Sequence, residues 1–304
     1  MSDRADTVVV LGLGLIGGSL ARALRQAGFC RRLVGYGHRE PSLRRGLELG
    51  VIDDFTLDLD EAIAAADILV LCTPTLVAAA TLEQILLRLE GRADGPVITD
   101  AASVKGNLLK AARGACGGAF PARLVLAHPI AGSERSGVEA SDAGLFVNHR
   151  VILTPVAGND PAAVQLVRDM WRSTGADVVE MAVAEHDAVL AATSHLPHLL
   201  AYALVDALAQ SPASTDIFRF AAGGFRDFTR IASSDPVMWR DIAIANRDAL
   251  LAATDAFSDH LAQLRRAVAD GDGDTLLETF RRAKAARDEF AAILKKRGQS
   301  EPGA

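Results

Sequence analysis

The stretch Thr7-Val8-Val9-Val10-Leu11, running into Gly12-Leu13-Gly14-Leu15-Ile16-Gly17-Gly18, carries the reading of the whole chain. Three consecutive valines closed by leucine read as a strand. Ser19–Ala27 then reads as a helix that Gly28 stops. Between them stand glycines in the order G-x-G-x-x-G, a spacing to which the strand-turn-helix context gives meaning. Gly12 permits a tight turn, Gly14 lets backbone approach a pyrophosphate, and Gly17 lets the helix pack closely on the strand. The first-turn N–H groups around Leu15 and Ile16 face the anion at the positive end of the helix dipole.

Outward from this unit the pattern alternates. Leu33–Tyr36 predicts a second strand, Pro41–Leu49 a helix stopped by Gly50, and Ile68–Cys72 a third strand. Thr75–Leu89 and Val104–Arg113 read as helices, and Val97–Asp100, Arg123–Ala127 and Val151–Pro155 as further strands. A helix from Pro161 to Ser173 and a strand over Asp177–Met181 close the series. Alternation of this kind predicts a Rossmann-type, doubly wound α/β domain with a parallel sheet over residues 1–181. From residue 182 to 304 the chain reads as all-α, with helices at Asp187–Gln210, Pro236–Asp270 and Asp274–Lys296. Its apolar content exceeds what one layer of helices hides internally, which predicts packing against a second subunit, a homodimer joined through the helical domain.

Composition excludes several classes. The 304 residues are half hydrophobic and 23% charged, enough apolar material for two cores and no signature of disorder. A net charge of −6 is the wrong sign for broad nucleic-acid or anionic-membrane binding. Cys30, Cys72 and Cys116 form no CxxC pair, which fits a reducing compartment and structural thiols. No basic-then-apolar segment opens the chain, and the apolar stretches are interrupted by Pro74 or by His195, Pro197, His198 and Asp206, so the expectation is a cytoplasmic protein without a membrane span. No His, Cys and carboxylate set has metal-site spacing, and no metal is expected.

The nicotinamide dinucleotide is read from the end of the second strand, Tyr36-Gly37-His38-Arg39. An NAD site carries an acid there for the ribose 2′-hydroxyl. Gly37 removes that acid, and Arg39 with His38 can meet a 2′-phosphate, so NADP is favoured over NAD; Glu40 nearby argues the other way. Thr73 and Pro74, after the third strand, and Asp100, at the end of the next, are expected to border the same cofactor.

Four polar clusters remain: Thr99-Asp100-Ala101-Ala102-Ser103-Val104-Lys105, His128-Pro129-Ile130-Ala131-Gly132-Ser133-Glu134-Arg135-Ser136-Gly137, Thr193-Ser194-His195-Leu196-Pro197-His198, and Gly223 through Trp239. In this order they resemble the signatures of the prephenate/arogenate dehydrogenase family, and the resemblance spans nearly the whole chain. It implies oxidation of prephenate to 4-hydroxyphenylpyruvate, or of arogenate to tyrosine, with hydride transfer and loss of carbon dioxide in tyrosine biosynthesis. It also implies a dimer.

By that resemblance His128 holds and accepts the substrate hydroxyl proton, a role a histidine fills near neutral pH, and Ser103 orients it or shares the substrate hydrogen bond. Arg230 matches the binding arginine, and a guanidinium suits a substrate with two carboxylates. Arg226 lies four residues earlier, on the same face if the stretch is helical; it reads equally as a surface charge paired with Asp227. His198 is the better substrate contact of its pair, and His195 is a second candidate or a core histidine. Ser133, Glu134 and Ser136 align with a loop over the pocket. Two rivals stand beside this reading: another dehydrogenase with an all-α second domain, acting on β-hydroxyacids or imines, and a nucleotide-binding regulator without catalysis.

Overall fold

The computed structural model describes residues 5–90, 94–132 and 135–296. It opens with β1 (Ala5–Leu11), α1 (Leu15–Ala27), β2 (Cys30–Tyr36), α2 (Glu40–Glu48), β3 (Asp54–Thr56), α3 (Leu59–Ala65), β4 (Ile68–Leu71), α4 (Thr75–Arg88), β5 (Val97–Asp100), α5 (Gly106–Ala115) and β6 (Leu124–Val125). The six strands pair in parallel in the order β3-β2-β1-β4-β5-β6. That is the order of a dinucleotide-binding sheet, in which the strand sequence reverses between β1 and β4. Val8, Val9, Val10 and Leu11 are all fully buried, as are Ile68–Leu71, because helices cover both faces. The short β3 and α3 were not expected. Asp58 caps α3, its carboxylate accepting from the N–H groups of Asp60 and Glu61, and that cap is visible in the sequence in hindsight.

The later strands leave the parallel sheet. Arg123–Ala127 was expected as one strand, but the chain breaks at Leu126, and β7 (Ala127–Pro129) begins a second sheet with β8 (Arg150–Leu153) and β9 (Asp177–Glu180). β7 runs antiparallel to β8, and β8 parallel to β9. Between the last two lies α6 (Pro161–Ser173), opened by Pro161 and capped by Asp160. Its Val167, Met170 and Trp171 are fully buried in the core that also holds Val8 and Val10.

The remaining elements are helices: α7 (Val183–Leu190), α8 (Leu196–Ala209), α9 (Ser214–Arg219), α10 (Gly223–Thr229), α11 (Pro236–Ala245), α12 (Arg247–Asp270) and α13 (Gly273–Lys296). A π-turn over Ala191–His195 separates α7 from α8 inside the stretch Asp187–Gln210 that the sequence reads as helical. The helix expected over Pro236–Asp270 is likewise interrupted, at Asn246, whose buried side chain donates to the carbonyl of Asp187. The chain divides into two compact units, Met1–Leu190 with Ser234–Asn246, and Ala191–Ser233 with Arg247–Ala304. Residues 182–190 and α11, which the sequence groups with the helical part, therefore pack with the sheet; α11 lies on α4. The stretch Val183–Ala209 is long and apolar enough to match a membrane span, yet His186, Asp187 and His195 on it are buried within the fold, as on a helix that serves a site.

Candidate active site

The glycine loop has the geometry the sequence assigns to it. Gly12 has φ +98°, and its N–H donates to Tyr36 O at 2.9 Å, carrying the β1–β2 ladder one residue into the turn that leads to α1. A Cβ on Gly17 would lie 2.2 Å from Gly12 O and 2.9 Å from Val10 Cγ1, so glycine is what lets α1 approach β1. A Cβ on Gly14 would meet nothing within 4 Å. Helix α1 has no side-chain cap and no acid in its first turn, so the N–H groups of Leu15, Ile16 and Gly17 stand at an uncompensated positive helix end. Beside them the buried Oγ1 of Thr73 has no hydrogen-bond partner, and the exposed Pro74 begins α4. Open space at Gly14, orphan helix N–H groups and an orphan hydroxyl fit a dinucleotide pyrophosphate.

At the end of β2, Gly37 leaves room: a Cβ there would touch only Leu43 Cδ2, at 3.9 Å. His38 and Arg39 are exposed, with His38 edge-on to Tyr36 at 5.9 Å between ring centroids. Glu40 does not oppose Arg39 freely, since Arg44, one helical turn on, pairs with it.

Asp100 has structural partners. It was expected among the cofactor contacts, but it is fully buried, forms an ion pair with the equally buried Lys105, and accepts from the N–H groups of Ala102 and Ala127 at 2.9 and 3.0 Å. Lys105 Nζ also donates to Ala127 O at 2.6 Å. The pair thus grips both backbone polar groups of the residue before His128. Burial holds the Lys105 ammonium below its ordinary pKa, and Asp100 only partly opposes this. The pair is placed to position backbone, with no surface left for a ligand.

His128 lies on β7 and is buried, and its Nδ1 is 2.9 Å from Nε2 of the fully buried His186 on α7. His186 Nδ1 is in turn 2.8 Å from Asp187 Oδ1. Asp187 also receives the backbone N–H groups of Lys105 and Gly106, at 2.9 and 2.7 Å. Burial raises the Asp187 pKa, but the His186 and backbone hydrogen bonds outweigh it and hold the carboxyl below its ordinary value. Burial, partly opposed by the Asp187 hydrogen bond, lowers the His186 pKa and favours a neutral ring. No hydrogen bond joins Ser103, half-buried on the same loop as Lys105, to His128 among the described residues; His186 orients that ring instead.

His186 and Asp187 were missed in the sequence. The triplet Glu185-His186-Asp187 reads there as a polar helix start, and only burial shows its use. Among the cluster that contains His128, Ser136 is exposed, and Ser133 and Glu134 lie outside the described residues.

The second unit brings a different set together. His198 on α8 is half-buried, with Nδ1 2.8 Å from Ser194 O. Burial lowers its pKa, the Ser194 hydrogen bond opposes this, and the nearby Arg230 guanidinium lowers it further. Arg230 begins the 3₁₀ turn after α10 and is exposed, whereas His195 is buried. Arg226, on α10, pairs with Asp227 at 3.4 Å in the solvent-facing manner of a surface charge. Among the described residues no group of His, Cys, Asp and Glu could hold a metal ion.

Comparison with known proteins finds relatives along nearly the whole chain. The nucleotide-binding domain profile of prephenate dehydrogenase matches residues 20–180, and the dimerization domain profile of the same family matches residues 182–282. The cyclohexadienyl dehydrogenase of Zymomonas mobilis is 37% identical, over 92% of this chain and 94% of its own. A crystal structure of prephenate dehydrogenase from Aquifex aeolicus, in complex with hydroxyphenyl propionate and NAD+, superposes with a TM-score of 0.85 at 36% identity, covering 94% of this chain and 98% of that one. The Synechocystis arogenate dehydrogenase superposes with a TM-score of 0.77 at 29% identity, over 93% and 99%. With both domain profiles matched in order and the dinucleotide cradle built as its glycines demand, the chain belongs to the prephenate dehydrogenase family of NAD(P)-dependent oxidoreductases.

Proposed function

We propose that the protein catalyses oxidative decarboxylation of prephenate to 4-hydroxyphenylpyruvate, or of arogenate to tyrosine, in tyrosine biosynthesis. The observation that carries this is a buried histidine, His128, whose Nδ1 is held by His186, in the same compact unit as the glycine cradle and the α1 N-terminus. A regulator would not require that buried histidine chain, and the matched profiles favour this family over a β-hydroxyacid or imine dehydrogenase.

A bound nicotinamide supplies the hydride acceptor. The chain's own residues then handle charge and protons. His128 takes the proton of the hydroxyl on the ring carbon that loses hydride, and Ser103 shares the hydrogen bond to that hydroxyl. Arg230 pairs with a substrate carboxylate, and His198, kept neutral beside it, contributes a hydrogen bond rather than a second charge. In this reading His195 serves as a core histidine and Arg226 as a surface cation. Loss of carbon dioxide and aromatisation drive the reaction forward.

NADP is the preferred cofactor in this reading, because Gly37 presents no carboxylate and Arg39 has Glu40 drawn away by Arg44. The NAD+ in the Aquifex neighbour marks the alternative. The helical domain, residues 182–304, forms the dimer: Phe228, Leu261, Val268, Phe280 and Phe290 stand exposed on it, more apolar surface than a lone subunit keeps in water. The enzyme works in the cytoplasm, on a small molecule, with neither nucleic acid nor membrane as partner.

The test is the initial rate of nicotinamide reduction with prephenate and with arogenate, each with NAD and with NADP. Turnover in one combination or more is expected, and none in any would refute the reading. His128→Asn should then lower kcat far more than it raises KM, and Arg230→Ala should act mainly through KM.

A further inference from the structure

Asp187, His186 and His128 form a hydrogen-bonded chain whose direction follows from its last member. The Asp187 carboxylate accepts the Lys105 and Gly106 N–H groups and carries no proton to give, so the 2.8 Å contact with His186 Nδ1 requires that nitrogen to be the donor. A neutral imidazole has one N–H, which leaves Nε2 of His186 as an acceptor. The 2.9 Å contact between that atom and His128 Nδ1 is then a hydrogen bond only if His128 donates from Nδ1.

We infer that His186 and Asp187 are positioning residues that hold His128 in its Nδ1–H tautomer, so that the lone pair which takes the substrate proton is on Nε2. This deepens the proposed function and rests on His128 as its proton acceptor. When the substrate O–H bond breaks, its proton goes to Nε2 and the electron pair stays on the substrate oxygen. His128 becomes an imidazolium that still donates from Nδ1 to His186, and His186 keeps its own proton. The reverse tautomer would present N–H to the hydroxyl and could accept nothing there.

The scaffold around the chain is built to the same end. Asn246 donates to the Asp187 carbonyl at 2.8 Å, and a Cβ on Gly106 would lie 2.7 Å from Asp187 Oδ2, so that glycine is needed for the carboxylate to reach the α5 N-terminus. The charged and titratable groups facing His186 are Asp187 on its own helix, Lys105 and Asp100 from the β5–α5 segment, and His128 from β7. The His186 and His128 rings meet edge-on, at 65° between planes, and stacking does not account for the contact.

The experiment is long-range ¹H–¹⁵N NMR of ring-labelled histidines in the full-length protein above neutral pH, with His128 assigned by the signal lost in His128→Asn. The wild type should show His128 as the Nδ1–H tautomer. His186→Leu, which removes the acceptor, should abolish that preference and lower kcat at least tenfold. His186→Gln can donate to Asp187 and accept from His128, and should restore the tautomer and much of the rate. It should also move the acid limb of the kcat–pH profile less than His186→Leu does. An Nε2–H tautomer in the wild type, or unchanged His128 signals and kcat in a folded His186→Leu, would overturn the inference. The wild-type spectrum decides the chain even if neither prephenate nor arogenate is turned over, so a failure of the functional reading shows separately.

Discussion

Alanine at Gly14 and at Gly17 separates the two jobs of the glycine loop. At Gly17 the new Cβ would lie 2.2 Å from Gly12 O, a backbone atom held in place by the 2.9 Å bond from Gly12 N–H to Tyr36 O and by a φ of +98°. The neighbour cannot yield, so α1 must back away from β1. Overpacking of this kind costs about 1–3 kcal/mol, and a backbone obstacle belongs at the upper end. Alanine returns at most about 1 kcal/mol in helix propensity. The net loss is about 2 kcal/mol, or a fall of roughly 4–8 °C in Tm for a unit of this size. At Gly14 the Cβ meets nothing within 4 Å and φ is −99°, open to any residue. The lost N-cap preference and the reduced unfolded-state entropy offset each other to within about 0.5 kcal/mol. The same Cβ occupies the space a pyrophosphate needs, and dinucleotide affinity should fall at least about tenfold, or ~1.4 kcal/mol. The assay is thermal unfolding without cofactor, followed by titration with reduced dinucleotide. Equal loss of Tm in the two variants, or undiminished binding by Gly14→Ala, would refute the reasoning.

Three further outcomes are expected. Gly37→Asp should shift the kcat/KM ratio toward NAD, since its side chain has room and repels a 2′-phosphate; an unmoved ratio would mean that Arg39 does not read the cofactor. Lys105→Met should destabilise by about 3–5 kcal/mol in urea by leaving Asp100 buried without its cation, and adding Asp100→Asn should recover part of this; a loss under about 1 kcal/mol would show the pair to be dispensable. The folded state holds the His186 pKa below the unfolded value of about 6.5, so the unfolded chain takes that proton first as pH falls. Its contribution is fully present above about pH 6.5 and is lost on acidification by up to about 1.4 kcal/mol per pH unit, a slope that the urea midpoint should show and that His186→Gln should reduce.

How much was legible in the sequence depended on how local the cause is. β1, the glycine loop and α1 are contiguous, and runs of valine, glycine spacing and a Gly28 stop act within a few residues of themselves. The paired strands further on were legible as strands but not as members of a sheet. Nothing in Leu124-Val125-Leu126-Ala127 marks the break that sends His128 into the second sheet, because strand pairing is decided by partners far along the chain. Asp100 shows the same dependence: at the end of a parallel strand an acid is a ligand by position, and its full burial with Lys105 and the Ala127 N–H, 27 residues on, exists only in the folded chain.

By itself the sequence determined the doubly wound domain, the helical domain after it, the family, and His128, Arg230 and the glycines as the residues to examine, since each follows from local pattern or from motifs kept in order. The tertiary structure alone decided which side chains meet. His128 and His186 are 58 residues apart in the chain, and Lys105 and Asp187 are 82 apart. Contacts at that separation depend on how sheets and helices stack, and burial, which strengthens their hydrogen bonds and sets their protonation, exists only once the chain has closed around them.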